Sequence, residues 1–279
     1  LVGVLLACVL LAGCGGGSED SKIAFASDRD GDLEVFVMNA DGTGVTQLTD
    51  HDDWDRKPAW SPNGKQIAFM GNRDGDDEIF VMNADGTGVT QLTDNDDGDW
   101  HPAWSPNGKQ IAFHSDQDGD LGIFVMNADG TGVTQLTDND DYDGFPAWSP
   151  NGKQIAFTSH RDGDREIFVM NADGAGVTQL TDNDGRDGFP AWSPNGKQIA
   201  FDSSRDGDLE IFVMNADGTG VTQLTDNDDY DGFPVWSPNG KQIAFMGNRD
   251  GDREIFVMNA DGSNVVSLGQ QGIPSSWGG

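Results

Sequence analysis

The phenylalanines that close Lys-Ile-Ala-Phe and then five copies of Lys-Gln-Ile-Ala-Phe fall at Phe25, Phe69, Phe113, Phe157, Phe201 and Phe245, each 44 residues after the last. The segment Met-Asn-Ala-Asp-Gly keeps the same interval, beginning at Met38, Met82, Met126, Met170, Met214 and Met258. Six copies of one unit without an insertion restrict the chain to folds that are themselves repetitive, in which each unit buries its apolar surface against its neighbours.

One unit divides at turn signals into PAWSPNG, KQIAFTSHRDG, DREIFVMNADG and AGVTQLTDND. Asn-Gly and Asp-Gly between β-rich runs are strong hairpin signals, so each unit reads as four antiparallel strands. No segment sustains an apolar period of 3.6, which excludes helical repeats, and 44 residues is about twice a leucine-rich repeat. Four strands in such a length make one propeller blade, and the fold expected is an all-β, six-bladed β-propeller. The first unit begins at its second strand, and Trp-Ser-Pro-Asn-Gly occurs only at Trp60, Trp104, Trp148, Trp192 and Trp236. The missing innermost strand is expected from the C-terminus, where Ile273, Pro274 and Trp277 would enter the N-terminal blade and close the ring, removing two open sheet edges. The repeated Trp, Phe and Ile are then core residues that pack blade on blade.

The combined text IAFxSxRDGDxEIFVMNADGTGVTQLT followed by PAWSPNGK resembles the TolB-type, WD40-like (PD40) propeller repeat, and the resemblance runs from Lys22 almost to the end of the chain. It implies a propeller that recognises other proteins through its loop faces, in a periplasmic or envelope setting. Asn63, Asn107, Asn151, Asn195 and Asn239 stand where many such repeats carry Asp, and either residue suits the turn.

Before the repeats, residues 1–13 form an apolar run too short to span a bilayer and ending in small residues, which reads as a secretory signal. Leu11-Ala12-Gly13-Cys14 resembles the bacterial lipobox, which implies cleavage before a diacylated Cys14. A plain cleavable signal and a buried apolar strand are the alternatives. The expected organisation is a signal over 1–13, a lipidated Cys14 with a Gly-rich tether over 14–21, and the propeller over 22–279. Cys8 would leave with the signal, so the mature domain, expected to be a monomer outside the cytoplasm, would depend on packing and strand pairing without a disulfide.

The chain carries 48 acidic against 16 basic side chains, a formal charge of -32, which argues against nucleic acid as a partner. In a propeller the loops from second to third strand, and from fourth strand to the next blade, share one face. Forty of the 48 carboxylates fall in that set with ten Arg and Lys, so this face nets -30 and the other -1. Three readings of the acidity stay open: solvation of a secreted domain, capture of cations, and steering of a cationic protein, peptide or polyamine. For calcium, Asp28, Asp30, Asp32 and Glu34 set hard oxygen ligands about a tight turn, and Asp116, Asp118 and Asp120 repeat part of the pattern, without EF-hand spacing. A second candidate set is the residue five before each repeated Trp, namely Asp55, Asp99, Asp143, Asp187 and Asp231, expected to approach the central channel from the acidic face or to cap their own loops.

Some relatives of the fold are lyases with metal-bound histidines or carry a serine hydrolase domain. Here His51, His101, His114 and His160 occupy non-equivalent positions in the repeat and read as drifted loop residues. The repeated Ser61, Ser105, Ser149, Ser193 and Ser237 stand in Ser-Pro-Asn-Gly turns, not in a nucleophile elbow. A binding module without catalysis is the expectation.

Overall fold

The computed structural model describes residues 21–73, 75–117, 119–249 and 251–278; the expected signal and Cys14 lie outside them. Among the described residues there are six four-stranded antiparallel sheets and no helix. Blade 4 shows the pattern: Asp143–Trp148 is innermost, followed outward by Gln154–Ser159, Glu166–Asn171 and the two-residue edge Thr178–Gln179. Blades 2, 3, 5 and 6 begin in the same way at Asp55, Asp99, Asp187 and Asp231. Blade 1 takes Lys22–Ser27, Glu34–Asn39 and Thr46–Gln47 from the start of the chain and its innermost strand, Ile273–Gly278, from the end.

The closure joins Lys22 to Gly278 and Ile23 to Trp277 in antiparallel register. The Trp60 amide donates to Ser276 Oγ at 3.1 Å, which fastens the closing strand to blade 2. The outer edge of blades 1 to 5 is shorter than the sequence pattern suggests, two residues long, and so offers little unpaired backbone to another chain.

Both faces of the middle strands are buried, as stacked blades require. In Ile-Ala-Phe, Ile and Phe face one neighbouring sheet and the small Ala faces the other; Ala68, Ile79 and Val81 of blade 2 therefore meet Trp104, Ile111 and Phe113 of blade 3. Ile23, Phe25 and Trp277 meet Ala244, Ile255 and Val257 in the same way across the closure. Each such Phe is fully buried, a contribution on the order of 1.5–3 kcal/mol repeated around the ring. The turns are equally constrained. Gly86 has φ 84° and an added Cβ would lie 2.8 Å from the Leu48 carbonyl of the previous blade, so that turn admits only glycine without displacement.

Candidate functional site

In blades 2 to 6 the innermost strand opens with an aspartate and is interrupted two residues later. Lys57, His101, Phe145, Phe189 and Phe233 have φ between 51° and 58°, and pairing with the second strand skips at each of them. A β-bulge of this kind re-aims one side chain, and the proline that follows in every copy has no amide to leave unpaired. The five side chains are turned onto the axis, where they meet. Phe189 lies 4.1 Å from Phe145 and 4.3 Å from Phe233, centroid to centroid, and His101 is edge-on to Phe145 at 4.5 Å. Lys57 Nζ sits 4.1 Å from the Phe233 centroid and 5.0 Å from that of Phe189.

Together they bound an axial cavity of about 280 Å³ whose walls continue along Pro58, Pro102 and Pro146 to Trp60, Trp104 and Trp148. Behind the bulges, the second strands contribute residues that differ from copy to copy. His114 stacks on His101 at 4.9 Å, and the buried Asp202 accepts the Phe233 amide at 3.1 Å. Burial lowers the Lys57 ammonium to about 7 and raises the Asp202 carboxyl to about 7. Burial also lowers His114 to about 3 and takes His101 well below the usual imidazole range, so both rings are neutral at physiological pH. The expectation that the histidines are scattered loop residues is corrected for these two: His101 belongs to an innermost strand, His114 to a second strand, and the bulge brings them together. The signal was present in the sequence. The position three before each repeated Trp reads Lys, His, Phe, Phe, Phe, while the Pro after it never varies.

The five aspartates do not line this cavity. Asp55, Asp143, Asp187 and Asp231 are fully buried, and each is clasped by the arginine eighteen residues on, with Arg73, Arg161, Arg205 and Arg249 at 2.6, 2.9, 2.8 and 2.8 Å. Asn139, Asn183 and Asn227 add a loop hydrogen bond to the last three, in keeping with the loop-capping alternative. Asp99 differs, because residue 117 is glutamine. It keeps the bond from Asn95 at 2.9 Å but has no arginine, and it faces the buried Glu78 across the blade interface. Burial raises both of these carboxyls, Glu78 to about 7.

The residues proposed for calcium are dispersed. Asp28 and Asp30 are exposed at a turn, whereas Glu34 is buried and accepts the Thr49 hydroxyl and, at 2.8 Å, the His51 amide. Asp116 accepts the Gly98 amide at 2.8 Å, Asp120 is exposed, and Asp118 lies outside the described residues. Among the described residues no group of three or more His, Cys, Asp or Glu is placed to hold a metal ion. The ten basic side chains of the acidic face are not spread over it. Eight, Lys57 on the axis among them, are half-buried and only Arg186 and Arg253 are exposed, so the exposed charges of this face are predominantly carboxylate.

Three consecutive segments, 17–101, 97–187 and 178–276, match the model of the TolB beta propeller domain, PD40. The chain belongs to this family. TolB from Acinetobacter baumannii shares the fold, with 22% identity, a TM-score of 0.80, and coverage of 94% of this chain and 67% of that one. A TolB from Agrobacterium tumefaciens is 26% identical with a TM-score of 0.75, covering 92% of each chain. The oligogalacturonate lyase of Vibrio parahaemolyticus, at 14% identity and a TM-score of 0.62 over 88% of this chain and 73% of its own, is alike in fold alone. No curated protein matches the chain in sequence. PD40 membership accounts for the blades; on the axis, Lys57 and His101 depart from the phenylalanine that the other three copies carry.

Proposed function

We propose that this PD40 propeller is an extracytoplasmic binding scaffold, tethered to a membrane through a lipidated Cys14, that acts as a monomer and docks a cationic segment of another protein on its acidic face without catalysing a reaction. One observation carries the docking surface: the face that nets -30 turns its cations inward and presents carboxylates outward. A surface of one sign raises the encounter rate of an oppositely charged partner and weakens with salt. Family membership supports protein recognition as the role, and the lipobox-like Leu-Ala-Gly-Cys supports the tether.

Affinity capture from envelope extract with the tether-intact protein tests the docking. Partners should be retained at low salt and released at high salt, and equal retention at both would overturn the electrostatic reading. Mass spectrometry of the purified chain tests the tether independently: a diacylated N-terminal Cys14 is expected, and a free thiol or cleavage elsewhere would remove it.

A further inference from the structure

Among the described residues no acidic side chain lines the axial cavity; the ionisable side chains that do are Lys57 and His101. Among the described residues the Lys57 ammonium has no ion pair or hydrogen bond, only the faces of Phe189 and Phe233. Both ring nitrogens of His101 are buried and without a hydrogen-bond partner. A neutral imidazole still carries one N–H, so a donor is buried without an acceptor beside a cation that the buried Asp202 attracts from behind the bulges without pairing with it. Apart from Ser275 and Ser276 of the closing strand, the rest of the wall is phenylalanine, proline, alanine, valine and indole, a surface that takes an apolar body. At the acidic end the five bulged side chains close on one another, which leaves the near-neutral face, beside the Ser-Pro-Asn-Gly turns, as the approach for an anion.

We infer that the axial cavity is a binding site for a small organic monocarboxylate with an apolar body, its carboxylate accepting hydrogen bonds from Lys57 and His101 and its body lying against the prolines and tryptophans. The size of the cavity sets the class. About 280 Å³ is at the lower end for small-molecule sites, enough for a six- to ten-carbon acid and too small for a folded segment of a partner. The inference stands apart from docking on the acidic face, since the two sites occupy opposite sides of the ring of bulged side chains.

Isothermal titration with hexanoate, 3-phenylpropionate and indole-3-acetate, each against its alcohol and its amine, tests the site in the whole protein. At least one acid is expected to bind about tenfold more tightly than its alcohol, and its amine not at all. NMR should show the His101 ring signals moving on titration. Lys57→Met should abolish the preference for acid over alcohol and Lys57→Arg should keep it. Lys57→Phe, which installs the side chain that three other blades carry, serves as the folded control. Absence of binding by all three acids at millimolar concentration would overturn the inference, as would equal binding of acid and alcohol, or an unchanged preference in a folded Lys57→Met protein.

Discussion

Asp141 and Asp143 are two residues apart, one in a loop and the other opening the strand that the loop feeds, and their surroundings are opposite. Asp141 is exposed at the tip, while Asp143 is fully buried, held by Arg161 through both of its oxygens at 3.0 and 2.9 Å and by Asn139 at 2.7 Å. The contrast recurs around the ring between the carboxylates of the loop tips and those that open the innermost strands. The same residue type solvates the protein in one layer and joins a loop to a strand in the other. Depth, which fixes the dielectric and the number of partners, decides between them.

The strongest way to break the comparison is to remove one member of each layer. Asp143→Ala leaves the Arg161 guanidinium without its carboxylate and should cost about 3 kcal/mol in urea unfolding, whereas Asp141→Ala should stay within about 0.5 kcal/mol. Equal effects would erase the distinction between the layers.

Blade 3 sharpens it, because there the buried aspartate lacks its arginine. The Gln117 amide donates to Ser115 Oγ as the Arg161 and Arg205 amides do to Ser159 and Ser203, all at 3.3 Å, so the backbone is already shaped for the missing side chain. Gln117→Arg should raise stability by about 1 kcal/mol by giving Asp99 and Glu78 a counter-ion, and a loss of stability would show that the site does not accept the guanidinium.

The inner layer also dictates an unusual response to pH. Against His101 and His114, whose lowering acts in the opposite sense, burial raises Asp202, Glu78, Glu166 and Glu210 to about 7, so between about pH 4 and 7 these four carboxyls hold more protons in the folded state than in the unfolded one. These groups make the melting temperature fall as pH rises through that window. Lys57, lowered to about 7, acts oppositely above it, since the unfolded chain then holds the extra proton up to about pH 10. Melting curves at pH 5 and 7 should show the protein more stable at pH 5, and Glu166→Gln should reduce that difference; a melting temperature that rises from pH 5 to 7 would refute the assignment.

The smallest effect belongs to the tips. Replacing Asp138, Asp140 and Asp141 by asparagine should raise the melting temperature slightly at low salt by relieving like-charge repulsion, and the gain should vanish at high salt. A gain that persists at high salt would mean that the tips are not simply screened surface charges.

The blades, their number and the closure were legible because they depend on local chemistry written six times: Asn-Gly and Asp-Gly turns, Ile-Ala-Phe alternation, and an incomplete unit at each end of the repeat. The site was legible only in part. The aspartates before each Trp were recognised as a set, but the sequence gives no depth, and their arginines lie eighteen residues away in another loop. The repeat pattern does not single out Lys57, and His101 and His114 read as drifted loop residues, because a strand pattern places alternate side chains on the two sheet faces, and the bulges at Lys57 and His101 break that alternation.

The sequence by itself determined a ring of six wedges and the sign of each face, since period, turn residues and charge are properties of the chain read in order. Only the tertiary structure decided which of the differing residues meet. Closing the ring brings Lys57, His101, Phe189 and Phe233 from four blades to one axis, and burial there lowers the lysine and strips the histidine of partners. No local pattern encodes that meeting, because it exists only once all six blades are in place.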